Sequence, residues 1–343
     1  MAGARVLIAG NFHWQAGFSQ TVAAYVEAAA EAGCEVRVSG PLSRMDEQIP
    51  KHLPVEPDVA WGTHLVFMFE ARQYLSDEQI ELACSIPRDR RLIIDFDGHW
   101  GGVATAGDSS VGTHSTENWQ RLYSTLTDLV LQPKTGPLPD GAEFFPCFGM
   151  PGPVRHPLAL GRERDRDLQY IGSNWGRWEP FVEVVEAARR AGLRRIRVCG
   201  RWWDDETCPG FEDITAAEPA RLAGVEVRPP VPFGHVVTEM GRSLITPVLV
   251  SPLVADTGLL TARVFETLAS GSLPVLPAAA EFLSFLYGGE AEPLLLGPDP
   301  AATLGRLAGD FERHAELVGR IQEQARARYN YPRLLTELLA FFR

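Results

Sequence analysis

The sequence predicts two consecutive α/β domains, each a parallel sheet wrapped by helices, and three observations carry that expectation. Short apolar runs alternate with amphipathic segments along the whole chain. That is the order a parallel sheet requires, because its strands need helical crossovers. The pattern breaks between Pro133 and Pro157, where seven prolines and four glycines gather, and then restarts. The chain has 343 residues, long for one core and ordinary for two of roughly 150 each.

Arg5–Ala9 is a strand-like run ending at Gly10, and a loop leads from it to an Ala-rich helix expected over Ser19–Ala32, with Gly33 closing it. Glu35–Ser39, His64–Phe69 and Arg91–Asp95 read as further strands, and Ser76–Ser85 as a helix. Gly101–Thr116, rich in Gly, Ser, Thr and Ala, is expected to be a long loop. A helix over Glu117–Thr127 and a strand over Asp128–Gln132 complete the first domain, placed at residues 1–155.

The second domain, placed at 165–329, repeats the scheme. Leu168–Ile171, Arg195–Cys199, Val225–Arg228, Pro247–Ser251 and Leu273–Leu276 are expected strands, and Glu179–Ala191 and Leu259–Ser270 expected helices. In residues 330–343, Leu334, Leu335, Leu338, Leu339 and Phe342 form an apolar stripe at helical spacing, expected to cross back onto the first domain.

Composition narrows the function. With 45% hydrophobic and 22% charged residues the chain is an ordinary globular one. A net charge of -12 disfavours nucleic acid and anionic lipid as partners. The longest apolar run, Leu244–Val254, is interrupted by Thr246, Pro247, Ser251 and Pro252, short of the ~20 residues a membrane span needs. No signal-peptide pattern opens the sequence, so a cytoplasmic protein is expected. Five scattered cysteines without a CxxC pair read as reduced thiols. Arginine dominates the 32 basic residues, only Lys51 and Lys134 being lysines. That bias suggests a GC-rich coding sequence and a role in secondary metabolism.

Several α/β chemistries lack their essential residues. Neither lysine sits in a phosphate loop, and neither Gly10–Gln15 nor Gly172–Arg177 carries the dinucleotide glycines. There is no GxSxG elbow and no HExxH helix. What remains is chemistry at the carboxyl ends of parallel strands, where open α/β sheets bind ligands.

The unusual residues gather there. Asn11, His13 and Trp14 follow the first strand; Asp95, Asp97, His99 and Trp100 follow the Arg91 strand. Asn174, Trp175 and Arg177 follow the Leu168 strand, and Trp202 and Trp203 follow Cys199. Five of the eight tryptophans thus fall in strand-end loops. Indole faces stack on sugars and bases, although the same residues can plug a domain interface. Asp95-Phe96-Asp97 also matches an Asp-x-Asp metal motif, but a divalent ion is not expected. On a helix, Arg263 and Glu266 lie three apart. They suit either a surface ion pair or a phosphate and ribose contact.

The string Arg263-Val-Phe-Glu-Thr-Leu-Ala-Ser-Gly-Ser-Leu-Pro-Val275 resembles the nucleotide-sugar motif of GT-B glycosyltransferases, especially the retaining group that includes the CgeB-like (spore maturation) proteins. The resemblance implies two Rossmann-like domains facing across a cleft, with a C-terminal crossover helix. It also implies that Glu266 holds the donor ribose and that Arg263 lies near the diphosphate. Tyr170–Arg177 is similar to the opening of that family's donor domain, which adds Gly172, Ser173, Asn174 and Arg177 to the donor site. Many retaining members carry a second glutamate eight residues before the first, and here that position is Gly258.

The expected function is transfer of a sugar from a nucleoside diphosphate sugar to a small-molecule acceptor, retaining and without a metal cofactor. Asp97, His99 or His13 would act on the acceptor, and Asn11, Trp14, Trp100 and Trp175 would line its pocket. Pro232 and Phe233 offer a rest for the base. The rival expectations are an epimerase or hydrolase of the same fold and a non-catalytic nucleotide- or sugar-binding protein.

Overall fold

The computed structural model describes residues 3–10, 17–40, 53–68, 77–96, 98–101 and 116–342. The chain divides into two compact units. Unit 1 runs to Gly149 and also takes Thr257–Leu260 and the segment from Tyr329; unit 2 holds Met150–Asp256 and Thr261–Arg328.

Unit 1 contains β1 (Arg5–Ala9), β2 (Glu35–Ser39), β3 (His64–Met68), β4 (Arg91–Ile94), β5 (Val130–Gln132) and β6 (Ala142–Phe144). They form one sheet in the order β2-β1-β3-β4-β5-β6, and every pairing is parallel. Alternate residues of each strand feed opposite faces. Val6 and Ile8 join Val36, Val66, Leu92 and Leu131 on one face. Leu7 and Ala9 join Leu65, Phe67, Ile93 and Val130 on the other. Burial on both sides explains why these strands read as unbroken apolar runs.

The last helix, Tyr331–Ala340, covers the first face together with the helix Gly17–Ala28. Its leucines 334, 335, 338 and 339 are at most 4% exposed. The rings of Tyr25 and Tyr331 meet edge to face at 5.2 Å. Asn330 caps this helix by accepting the Arg333 N–H, and Tyr25 donates its hydroxyl to the Cys147 carbonyl at 2.7 Å.

Unit 2 contains β7 (Arg166–Ile171), β8 (Ile196–Cys199), β9 (Glu226–Arg228), β10 (Ser243–Pro247) and β11 (Leu273–Val275). Their order is β11-β10-β7-β8-β9, again all parallel. The chain leaves β7 toward β8 and β9, then returns to the other side as β10. The switch point between β7 and β10 is where a doubly wound sheet opens a crevice for ligand.

Three expectations are corrected. The strand expected at Pro247–Ser251 ends at Pro247 and begins at Ser243. Its polar start is buried because hydroxyls satisfy one another: Ser243 Oγ lies 3.0 Å from Thr246 Oγ1, which accepts from Ser272 Oγ at 2.8 Å. The helix expected from Leu259 starts at Arg263. Gly258–Leu260 instead pair with Pro133–Thr135, the Thr135 N–H donating to the Gly258 carbonyl and the Leu260 N–H to the Pro133 carbonyl. The proline-rich stretch is no bare linker, since it holds β6 and the buried Phe145 and Cys147. Residues 102–115 of the expected long loop lie outside the described residues.

Around the motif, Gly271 ends its helix at φ 81°, and a Cβ there would stand 2.6 Å from the Arg155 carbonyl. Arg164 donates to the carbonyls of Pro157, Gly241, Ser243 and Gly271, a four-way fork a lysine could not make. Gln322 ties the helix Phe311–Arg328 to the carbonyls of Arg155 and Leu268. All five cysteines are free. Burial pushes the Cys199 thiol up to about 11. Among the described residues no helix is long and apolar enough to cross a membrane.

Two measurements test this account. Leu335 is fully buried, so Leu335→Ala should cost about 3 kcal/mol in urea unfolding monitored on unit 1. The Arg197 guanidinium, aided by Arg228, holds the Glu226 carboxyl down at about 2, against an ordinary value near 4.5. The stabilisation from this lowered value is complete above the unfolded value and is lost as pH falls from about 4.5 through 2. Glu226→Gln should therefore reduce the acid-side slope of stability in that window and leave it unchanged above it.

Candidate active site

The unit 2 site grows from two glycines at adjacent strand ends. Gly200 follows β8, and a Cβ on it would lie 2.1 Å from the Gly172 carbonyl oxygen; a Cβ on Gly172 would lie 2.6 Å from the Tyr170 hydroxyl. Only glycine allows these two loops to pack backbone on backbone. The Gly172 N–H donates to the Cys199 carbonyl at 2.8 Å, and the Trp203 indole donates to the Gly172 carbonyl at 2.7 Å. Trp203 is 1% exposed, enclosed by Tyr170, Trp178 and Phe181.

The loop from Gly172 to Arg177 is held from behind. The Asn174 side chain is wholly buried, donating to the carbonyls of Thr215 and Ala216 and accepting the Arg177 N–H. The Asn174 amide is thus engaged within the fold, where it shapes the loop. Ser173 accepts the Arg201 N–H on its hydroxyl. Arg177 returns one N–H to the Ser173 carbonyl, while its Nε is enclosed without a hydrogen-bond partner.

Across the switch point, the helix Arg263–Ser270 carries the other pair. Arg263 Nη1 lies 3.0 Å from Glu266 Oε2, an ion pair whose alignment does not make a hydrogen bond. The pair is no surface pair: its side chains are 20% and 9% exposed. The Arg263 guanidinium also stands 5.9 Å above the Tyr170 ring, which links this helix to the end of β7. The Thr261 hydroxyl accepts the Arg263 N–H, and Tyr287 donates to the Val264 carbonyl, fixing the first turn. Tyr170 was not legible as a site residue, because an aromatic at a strand end reads as core. Phe233, at the carboxyl ends of β7 to β9, packs against Ile171, Cys199, Val236 and Met240.

Gly258 lies at the position where many of the retaining enzymes carry a second glutamate. Its φ is 67°, and a Cβ would stand 2.7 Å from Thr135 Oγ1 and 2.8 Å from the Thr135 carbonyl. The backbone pairing at this position excludes any side chain.

In unit 1, Asp95 is fully buried and accepts four donors: the His99 and Trp100 N–H groups, the Tyr123 hydroxyl and the Gln132 amide. Both its oxygens are engaged within the fold. The carboxylate folds the His99–Gly101 turn. His99 is 1% exposed, so its imidazole faces the interior in this arrangement, away from any solvent-side acceptor. Trp100 is half-buried, stacked on Tyr123 at 6.1 Å, with its indole N–H on the Asp140 carbonyl. Asn11, His13, Trp14 and Asp97 lie outside the described residues. No cluster of three or more His, Cys, Asp or Glu suited to a metal ion occurs among the described residues.

Asp95→Asn would turn an amide N–H toward donors already in place. A loss of about 3 kcal/mol in thermal or urea unfolding is expected, with the circular dichroism of the folded state retained.

Comparison with known proteins follows this geometry. A family described as glycosyl transferase-like matches residues 166–340. No curated protein matches the chain in sequence. Among solved structures, an α-glucosyltransferase in complex with UDP and a 13-mer DNA containing an HMU base is similar, with a TM-score of 0.63 and 11% identity over 99% of this chain and 100% of that one. HepE of Anabaena in complex with UDP and glucose gives 0.59 and 10%, over 98% of each chain. A T4 phage β-glucosyltransferase with UDP and Mn2+ gives 0.55 and 13%, over 98% and 99%. The likeness spans both units, and the fold is GT-B.

Proposed function

The chain belongs to the glycosyl transferase-like family, and on that premise we propose that it moves a sugar from a uridine diphosphate sugar to a hydroxyl or amine of a small-molecule acceptor. The observation that carries the reading is the largely buried Arg263–Glu266 pair at the switch point of the unit 2 sheet. A carboxylate there can accept both hydroxyls of a ribose, and the guanidinium beside it can meet a phosphate. Arg177, with its enclosed Nε, supplies a second cation on the facing loop. Gly172 and Ser173 let the backbone approach the phosphates, and Pro232 and Phe233 support the base. That solved GT-B relatives were captured with UDP supports uridine as the base.

In this reading catalysis rests on charge. As the sugar departs, negative charge grows on the leaving diphosphate, and Arg263 and Arg177 stabilise it from fixed positions. Asp97 and His13 are the acceptor-side groups that take up the hydroxyl proton, with His99 the third candidate, its backbone N–H held by Asp95. The same reading takes the transfer to run without a divalent ion, as the resemblance to GT-B enzymes implies. Retention of configuration and membership of the CgeB-like group rest on the resemblance of the Arg263–Val275 string. A small neutral acceptor fits the net charge of -12 better than DNA does.

Calorimetric titration with UDP tests the donor site directly. Glu266→Ala should weaken binding about 10- to 100-fold, the worth of charge-assisted hydrogen bonds to the ribose, and, because it leaves the largely buried Arg263 guanidinium unpaired, should also lower the melting temperature of the free protein. Wild-type affinity in the variant would sink the assignment.

A further inference from the structure

We propose that Trp175, Trp202 and Phe211 form a subsite for the face of a neutral pyranose ring, beside the donor loop of unit 2. The inference rests on the donor reading above and extends it to what lies next to the diphosphate. Trp175 and Trp202 stand 5.5 Å apart at an interplanar angle of 48°, and Phe211 lies 4.8 Å from Trp175. All three are half-buried, whereas Trp178 and Trp203 nearby are core residues at 7% and 1% exposure. The same two loops thus sort their aromatics into a buried foundation and an open platform.

The platform is held in an unusual backbone state. Trp202 has φ 64°, and among the described residues Cys147 is the other non-glycine with a positive value. A bulky side chain in the left-handed region is a costly arrangement, kept when surrounding contacts impose it, and such residues gather at functional sites. Here the neighbouring Gly200, pressed on Gly172, and the buried Trp203 fix the chain on either side and turn Trp202 outward to Trp175.

Charge selects the ligand. Asp204, Asp205 and Glu206 follow Trp202 in the same loop and are exposed. Carboxylates there repel phosphate groups and accept hydroxyl protons, which suits an uncharged, hydroxyl-rich ring with an apolar C–H face. The base has its own support at Pro232 and Phe233, so it does not claim this platform. Trp175 sits between Ser173 and Arg177, which puts the ring next to the phosphates. The ring is therefore either the sugar carried by the donor or the first sugar of the acceptor.

Indole fluorescence titrations of wild type, Trp202→Ala, Trp202→Phe and Trp175→Ala separate these sources. The probes are UDP, UDP-glucose, and methyl glucoside added to UDP-saturated protein. For a donor ring, Trp202→Ala loses the extra affinity of UDP-glucose over UDP by about three- to tenfold. For an acceptor ring, the loss falls on methyl glucoside instead. In either case UDP binds as before and Trp202→Phe keeps most of the effect. The proposal is overturned if UDP alone weakens as much as UDP-glucose, or if neither ring probe distinguishes the alanine variants from wild type. Should Trp202→Ala fail to fold, Trp175→Ala carries the same comparison. If wild type binds no UDP yet shows Trp202-dependent binding of methyl glucoside, the donor reading falls and the subsite stands.

Discussion

The contact on which the unit 2 site depends is between two backbones, Gly200 against the carbonyl of Gly172. Adjacent strands of a parallel sheet normally diverge into separate loops at their carboxyl ends, each with unmet N–H and C=O groups. Here the absence of two side chains lets the loops bond to each other, and Trp203 completes the bonding from beneath. The shape of residues 172–177, the direction of Trp202 and the placing of Arg177 follow from that approach. A methyl group at Gly200 would part the loops, and one at Gly172 would displace the Tyr170 hydroxyl.

A second constraint ties the Arg263–Glu266 helix to the rest of the chain. Just before that helix, residues 257–260 leave unit 2 to pair with Pro133–Thr135 and then return. The pairing shortens the helix and makes Gly258 unreplaceable. The loss of a second glutamate is thus accounted for by backbone geometry.

Much of the fold was legible in the sequence, because parallel strands buried on both faces leave continuous apolar runs and helices leave glycine stops. What escaped was polar or unusual in backbone. The start of β10 hid because Ser243 and Thr246 look like loop residues until their mutual hydroxyl bonds are seen. β6 hid in a proline-rich stretch. Arg263 and Glu266 stand out in the sequence through their motif, but Asn174 and Asp95 look equally reactive on paper. Only their partners reveal them as scaffold. The left-handed turn at Trp202 leaves no trace in composition or spacing.

The helix Tyr331–Ala340 has a further consequence, for the order in which the protein comes into being. Its leucines complete the core under the first sheet, although they are made more than 300 residues after β1, whose Val6 and Ile8 share that core. During synthesis all of unit 2 can emerge and fold while unit 1 still lacks one wall of its core. The half of the molecule translated first is the half that closes last, and until then it presents open apolar surface to whatever else is in solution.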